Sequence, residues 1–159
     1  MGCGSSFSFG LSTKGGKIDF VNKNDIKDNN LLARKLLKEL DNEKIKYTKE
    51  DIVFIAKLKN GRKIFFEKSR LHHIILRHAE DFKKAFGVNK ENIASLLSET
   101  ILKGKLIHSH VKMVNGRECY YNKYYYHGKY TIVYGIANNG YIETAYPQKE
   151  GDEIKWERK

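Results

Sequence analysis

Residues 69–87 read SRLHHIILRHAEDFKKAFG, and this stretch predicts the helix around which the rest of the chain is organised. Ser69 is a favourable N-cap and Gly87 a favourable residue just past a helix end, so both termini are marked. Between them, apolar side chains recur at helical spacing and form one face. That face comprises Leu71, Ile74, Ile75, Phe82, Ala85 and Phe86, with His78 in its middle.

The position of His78 leaves two readings open. A histidine on the inward face of a helix is either a core residue with a satisfied hydrogen bond or a catalytic group that opens onto a cleft. The charged and polar residues of the same helix are expected on the opposite side, facing water. They are His73, Arg77, Glu80, Asp81 and Lys84.

The composition is that of a small basic globular protein. The chain has 159 residues, 40% of them apolar, and 30 Lys and Arg against 19 Asp and Glu give a formal charge of +11. Such a charge is typical of proteins that meet a polyanion, either nucleic acid or an anionic membrane surface. Because many of the lysines are scattered along the chain, a general bias towards lysine is the alternative explanation.

The cysteines and the hydropathy pattern indicate a reducing compartment. Cys3 and Cys119 form no disulfide framework and no CxxC zinc spacing, so we expect a cytoplasmic protein. No apolar run is long enough to span a membrane, and no secretory signal follows Met1.

The chain divides into three expected segments. Residues 1–30, rich in glycine, serine and asparagine, are expected to form a flexible leader, residues 31–148 a single α+β domain, and residues 149–159 a charged tail. The opening MGCGSS fits the pattern for N-myristoylation of Gly2, with Cys3 available for a second acyl chain. A domain cut or a mobile tail explains the same residues.

The folded segment reads as helices mostly first and strands afterwards. A helix is predicted over 31–46 with Asp28 or Asn30 as its cap, then a hairpin of two strands around Asn60-Gly61, the 69–87 helix, and a helix from Asn89 to Gly104. Four strands separated by turn dipeptides follow, over 105–114, 117–126, 129–136 and 141–146. We therefore expect an α+β fold, with the helices covering one face of an antiparallel four-stranded meander and His78 against that sheet.

The motifs that bind metals or nucleotides are not found in the sequence. His108 and His110 share a strand face but have no matching carboxylate, and there is no HExxH, no phosphate-binding loop and no GxSxG. We expect neither a metal nor a cofactor. The remaining polar candidates are His78 on the helix and the pair Thr144 and Tyr146 on the last strand.

These candidates suit the cleavage of RNA at its own 2′-hydroxyl. The nucleophile belongs to the substrate, so the enzyme supplies positioning, proton transfer and charge stabilisation. His78 can move a proton near neutral pH, and the hydroxyls of Thr144 and Tyr146 can donate to a phosphoryl oxygen. Seven of the ten tyrosines lie between Tyr120 and Tyr134 and could stack unpaired bases. Ordinary strand composition explains these tyrosines and the Thr–Tyr pair equally well.

Two motifs in this order resemble a known ribonuclease family. HIILRH at 73–78, followed by an acidic and phenylalanine-bearing helix end, and IETAYP at 142–147 are similar to the barnase/EndoU/colicin/RelE-like (BECR) ribonucleases. The versions they most resemble occur in polymorphic and contact-dependent bacterial toxins and in phage-encoded proteins. The similarity covers about residues 50–148 and implies a helix histidine, a basic residue and a Thr-x-Tyr strand.

By this resemblance His78, Thr144 and Tyr146 are the catalytic residues of a metal-independent endoribonuclease, with tRNA as a candidate target. The basic residue does not carry over cleanly: Arg77 is the first choice, and Lys83, Lys84, Lys105 and Arg117 compete with it. The resemblance also implies an acidic immunity or antitoxin protein as partner. The residues expected to bind RNA are His73, Lys84, Lys105, His108, His110 and Arg117.

Two other functions remain open from the sequence. The first is a non-catalytic nucleic-acid-binding or virion-associated module on the same fold. The second is a lipid-anchored protein on an anionic membrane, held by the leader and the positive charge of the chain.

Overall fold

The computed structural model describes residues 18–149 and shows an α+β protein with two antiparallel sheets. Strands and helices are mixed as far as residue 103, and strands alone follow from residue 105. In chain order the elements are β1 (Asp19–Asn22), α1 (Lys23–Lys27), α2 (Leu31–Asn42), β2 (Ile52–Lys57), β3 (Lys63–Glu67), α3 (Lys68–Phe86), α4 (Ile93–Lys103), β4 (Lys105–Val114), β5 (Arg117–Tyr126), β6 (Lys129–Ile136) and β7 (Ile142–Pro147).

The predicted meander is confirmed. Strands β4, β5, β6 and β7 are successive antiparallel neighbours. Asn115 and Gly116 have φ values of 52° and 78°, and His127 and Gly128 have values of 52° and 78°. Positive φ at both central residues is the signature of the two-residue turn that matches the twist of a hairpin. The turn dipeptides therefore set the register of the first two hairpins.

The beginning of the described chain corrects the expected domain layout. Residues 19–27 fall within the predicted flexible leader, yet they form β1 and α1. Asn22 caps α1 in a capping box with Asp25, and β1 pairs with β2. The pattern was missed because four strand residues and five helix residues are too few to show a period. Residues 1–17, with the candidate anchor at Gly2 and Cys3, lie outside the described residues, as does most of the predicted tail.

The first sheet was only partly anticipated. The hairpin around Asn60-Gly61 is confirmed as β2 and β3, but β1 extends it to a three-stranded sheet in the order β1-β2-β3. The expectation of helices mostly ahead of one antiparallel sheet of four or slightly more strands is therefore corrected to two sheets, of three and four strands, with α1 and α2 between β1 and β2. The sheets touch through a parallel bridge between Phe65 and Tyr141.

The protein has two core clusters, one on each face of the three-stranded sheet. One cluster lies under α2 and includes Leu36, Leu40 and Phe65. A larger cluster joins α3, α4, the other face of the three-stranded sheet and one face of the four-stranded sheet. Its fully buried members include Phe54, Ile74, Phe82, Ile93 and Val133. The helices thus cover one face of the meander, as the sequence predicts, and no helix among residues 18–149 is long and apolar enough to cross a membrane.

The start of α3 differs from the prediction. The helix begins at Lys68 with Glu67 in the cap position, not with Ser69, and it ends at Gly87 as expected. Glu67 makes no side-chain bond to the helix, because its carboxylate accepts a hydrogen bond from the backbone N–H of Thr48 at 2.9 Å. Helix α3 therefore follows directly from β3, which fixes where its polar residues come to lie.

Candidate active site

Helix α3 lies along the outer edge of β7, and this contact builds the site. The Arg70 Nε donates to the backbone carbonyl of Glu143 at 2.8 Å, so the helix satisfies a carbonyl of the edge strand. Side chains three and four positions apart share a helix face. Residues 70, 73, 74, 77, 78 and 81 therefore lie on neighbouring parts of the α3 surface, beside β7.

His78 contacts the last strand, as expected. Its ring stacks on that of Tyr146 with the centroids 5.2 Å apart and the planes at 29°. The Nδ1 of His78 lies 3.1 Å from the Oδ2 of Asp81, and the His78 side chain is 25% exposed. Because an ionised carboxylate only accepts hydrogen bonds, Nδ1 carries the proton and Nε2 is the nitrogen that can take one. The orientation of the His78 ring is therefore fixed by Asp81 while the ring stays partly accessible to solvent, unlike a histidine enclosed in a core.

Asp81 was assigned to the wrong side of α3 by the sequence analysis. The interpretation placed it facing water, away from His78, whereas it is the hydrogen-bond partner of His78. Its spacing of three residues from His78 was the signal, since such pairs meet on a helix surface. The carboxylate orients the ring in the way that acidic partners orient catalytic histidines.

The face of the four-stranded sheet turned away from α4, here called the open face, carries the two strand hydroxyls. Thr144 pairs with Tyr134, and Tyr134 pairs with Tyr121. Tyr146 is in the next position on the same face. Burial, together with the neighbouring Tyr121, raises the pKa of Tyr146 above its usual value, so its hydroxyl keeps its proton and can donate.

Within residues 18–149, no hydrogen bond accounts for the burial of the Thr144 hydroxyl. Its Oγ1 is buried and has no hydrogen-bond partner among residues 18–149. Buried hydroxyls are normally bonded, and one left without a partner is destabilising. Since Thr144 is only half-buried as a residue, rotation about its χ1 bond would exchange the methyl and hydroxyl positions and present the oxygen elsewhere.

Charged residues from α3, β5 and β7 interact with one another around Glu143, the residue before Thr144. The Arg117 Nη2 lies 3.2 Å from the Glu143 Oε1, and Glu143 raises the pKa of Arg117. Burial and the positive charges of Arg70 and Arg77 lower the pKa of His73, and Glu143 opposes them. His73 is half-buried in this group and not on a water-facing side, which corrects its predicted orientation.

The sequence analysis missed Glu143 and Arg70. Glu143 directly precedes Thr144, and a β-bulge between β6 and β7 sets the register there. A bulge re-aims side chains in a way that simple alternation cannot predict. Arg70 lay outside the motif used for the resemblance, although its helical spacing from Arg77 and His78 could have placed it on the same side of α3.

Two other basic residues predicted for the site, Lys84 and Lys105, lie in different parts of the molecule. Lys84 lines a groove of about 750 Å³ beside Asp81, together with Lys123, Lys129 and Tyr130. Lys105 instead lies at the start of β4, at the far edge of the sheet, and lines a different cavity of about 660 Å³. The structure therefore brings Lys84 close to the His78 site and leaves Lys105 away from it.

Aromatic and basic side chains extend the open face from the site to β4. The rings of Tyr121 and Tyr134 are 4.7 Å apart, and the Lys112 Nζ lies 5.1 Å from the centre of Tyr121. A second group joins Tyr125 and Tyr130, with ring centres 5.2 Å apart, and the Lys123 Nζ lies 4.5 Å above Tyr130. His108 and His110 belong to the same face, because their strand partners are Lys123 and Tyr121.

Taken together, the site offers a proton acceptor, hydroxyl donors and guanidinium groups beside a basic groove. In the described part of the chain, no three His, Cys, Asp or Glu side chains are grouped so that they could hold a metal ion. The arrangement can move a proton at Nε2 of His78 and can bind an anion through Tyr146 and the arginines. Models of known protein families were compared with the chain without a match, and the search among curated proteins likewise found no similar sequence.

Proposed function

We propose that this protein is a metal-independent endoribonuclease that cleaves RNA through attack of the substrate's own 2′-hydroxyl. The observation that carries the proposal is the stack of His78 on Tyr146, with Asp81 behind the imidazole. This contact joins a proton-transfer group from α3 to a hydroxyl from β7. The pairing is also the one that the BECR resemblance implies, and the proposal includes that fold relationship.

The geometry supports a specific division of roles. His78 Nε2 takes the proton from the 2′-hydroxyl as its oxygen attacks phosphorus, and the bond from phosphorus to the 5′-oxygen breaks. The leaving oxygen is protonated by solvent, and the products are a 2′,3′-cyclic phosphate and a 5′-hydroxyl. The Tyr146 hydroxyl donates to a phosphoryl oxygen, and the guanidinium of Arg77 or Arg117 balances the growing negative charge.

Substrate binding is assigned to the open face and the adjoining groove. Unpaired bases stack on tyrosine rings whatever their identity, and lysines attract the phosphates. Lys84, Lys123 and Lys129 provide the positive charge of the groove next to Asp81. The proposal therefore favours unpaired RNA, with tRNA loops among the candidate targets, and an acidic inhibitory protein as the partner of the toxin-like reading.

The test is RNA cleavage by matched histidine variants. Total RNA and purified tRNA are incubated with the protein in the presence of a chelator, and the product ends are mapped. We expect His78→Ala to lower the cleavage rate by about 10² or more, the usual scale for a general base. His72→Ala changes an exposed histidine of the same helix and is expected to keep the parent rate.

Tyr146→Phe removes the hydroxyl and retains the ring that stacks on His78, so it isolates the role of the donor. Circular dichroism confirms that each variant is folded. If folded His78→Ala protein cuts RNA at the parent rate, the proposed active site is wrong.

A second function is favoured by the tyrosine and lysine pairs of the open face. These pairs would suit a protein that binds RNA without cutting it. In that case the parent protein binds single-stranded RNA but gives no products, and His78→Ala leaves the affinity unchanged.

A further inference from the structure

Strand β4 has a long edge that no other strand covers in residues 18–149. The four-stranded sheet has the order β4-β5-β6-β7, so β4 and β7 are its outer strands. Helix α3 lies along β7, whereas in the described part of the chain β4 pairs with β5 alone. The ten residues of β4 therefore present a row of backbone N–H and C=O groups on the outer side.

The apolar side chains of β4 are unusually exposed. The exposed fractions are 43% for Leu106, 44% for Ile107, 43% for Val111 and 62% for Met113. Leu106 and Val111 pair with Tyr124 and Tyr120, which belong to the core cluster, so they point to the helix-covered side of the sheet. The apolar layer of the core thus continues to the edge of the sheet and ends there in contact with water.

The other side of β4 is basic. His108, His110 and Lys112 pair with Lys123, Tyr121 and Cys119, and they point to the open face. Residues 105–114 read KLIHSHVKMV and include no acidic residue. The edge is therefore apolar on one side and carries Lys112 and two histidines on the other, and no strand among residues 18–149 pairs with it on its outer side.

We propose that the outer edge of β4 binds an extended strand of a partner protein whose side chains alternate between apolar and acidic. Backbone hydrogen bonds to the edge would supply affinity, as they do wherever a strand is added to a sheet. The apolar side chains of the partner would cover Leu106, Val111 and Met113. Its carboxylates would lie on the open face beside Lys112, where opposite charges on adjacent strands are stabilising.

The charge pattern argues against a second copy of this chain as the occupant. Two β4 strands side by side would join two basic stripes, and each chain carries a formal charge of +11. Lysines on edge strands are a common protection against pairing between identical sheets. The same lysines attract a strand of opposite charge, so the edge discriminates between these two occupants.

The proposal is tested with a synthetic peptide and without RNA, so its outcome does not depend on the proposed ribonuclease activity. The probe is a ten-residue fluorescein-labelled peptide that alternates Glu with Val and Ile, and the control peptide has Lys in place of Glu. We expect fluorescence anisotropy to show binding of the acidic peptide alone at physiological salt. Hydrogen exchange should slow in residues 105–114 when this peptide is added.

Lysine variants separate edge binding from general charge attraction. Val111→Lys adds positive charge to the protein but removes an apolar contact. We expect it to lower the affinity for the acidic peptide about tenfold. Met113→Lys is a second variant at a more exposed site, and Leu76→Lys, at a residue 81% exposed on α3, is the matched control.

Three results would overturn the proposal. One is the absence of acidic-peptide binding, and another is binding that Val111→Lys and Met113→Lys leave unchanged or strengthen. The third is a dimer in sedimentation equilibrium that these variants dissociate, which would assign the edge to a second copy.

Discussion

Replacing Thr144 by valine should raise the stability of the protein and lower its activity. The Thr144 Oγ1 is buried without a hydrogen-bond partner among the described residues, and such a hydroxyl costs about 1–3 kcal/mol of folding free energy. Valine has nearly the same shape and no polar atom. We expect Thr144→Val to increase the free energy of unfolding by about 1 kcal/mol, which corresponds to a rise in Tm of about 3–5 °C for a domain of this size.

Thr131 provides a matched control in the same sheet. Its Oγ1 is likewise buried and without a partner among residues 18–149, and the residue is 1% exposed. Thr131 pairs with Tyr124, so it points to the helix-covered side and not to the open face. Thr131→Val should therefore give a similar gain in stability and no change in the cleavage of RNA.

The assay measures thermal unfolding and the rate of RNA cleavage on the same preparations. If the Thr144 hydroxyl turns towards a phosphoryl oxygen of the substrate, Thr144→Val should lower kcat by about tenfold or more, and Thr144→Ser should restore most of it. A Thr144→Val protein that is more stable and fully active would refute the catalytic role of the hydroxyl. A marked loss of stability would show that the hydroxyl is not an orphaned group.

Asp81→Asn should lower kcat by about tenfold or more with little effect on KM, because the amide no longer holds the proton of His78 on Nδ1. Steady-state kinetics on a short RNA measures this, and an unchanged kcat would contradict the orienting role of Asp81. Gly140→Ala should destabilise the protein by more than about 2 kcal/mol, because Gly140 has a φ of 80° and a Cβ there would collide with the backbone carbonyl of Lys63; urea unfolding is the assay, and Gly61→Ala, also at positive φ but in open space, should cost less. The free energy of unfolding should fall as the pH falls below about 6.5, because the pKa of His73 is lower in the folded protein than in the unfolded chain. The unfolded chain therefore binds the proton first. The contribution of His73 to stability is complete above its unfolded pKa and is lost as the pH falls through its folded pKa. His73→Gln should flatten this part of the pH–stability curve, and an unchanged curve would show that His73 does not contribute.

The parts of the fold that depend on local chemistry were predictable from the sequence. Asn115-Gly116 and His127-Gly128 adopt positive φ in two-residue turns, and they fixed the meander within a residue or two. Gly87 likewise ended α3 at the expected position. These signals act over a few residues, so no knowledge of the rest of the molecule is needed to read them.

The parts that depend on distant contacts were not predictable. Ser69 looked like the cap of α3, but Glu67 took that position while its carboxylate bonded Thr48. Strand β1 is too short to show alternation, and it exists because β2 offers it a partner. Tertiary pairing, and not local preference, decided each of these cases.

The residues of the candidate site also divide into those that local periodicity predicts and those that depend on distant contacts. The periodicity placed His78 against the sheet, and it does stack on Tyr146. The same periodicity put Asp81 and His73 on a water-facing side. A helical wheel shows only which residues share a face, and it does not show that α3 lies along the edge of β7, where these two residues come next to the open face. Glu143 was missed because the bulge before it alters the alternation of β7.

The contact between α3 and β7 gives the site a place in the order of folding. Arg70 and Glu143 are 73 positions apart in the chain, whereas the hairpins of the four-stranded sheet join neighbouring segments. Hairpins close in about 1–10 μs, and contacts between distant segments form later because a long loop must first be closed. The open face of tyrosines and lysines should therefore exist before His78 reaches Tyr146. In a stopped-flow refolding experiment, RNA should bind in an earlier phase than the one in which cleavage begins, and simultaneous onset would show that the sheet and α3 fold as one unit.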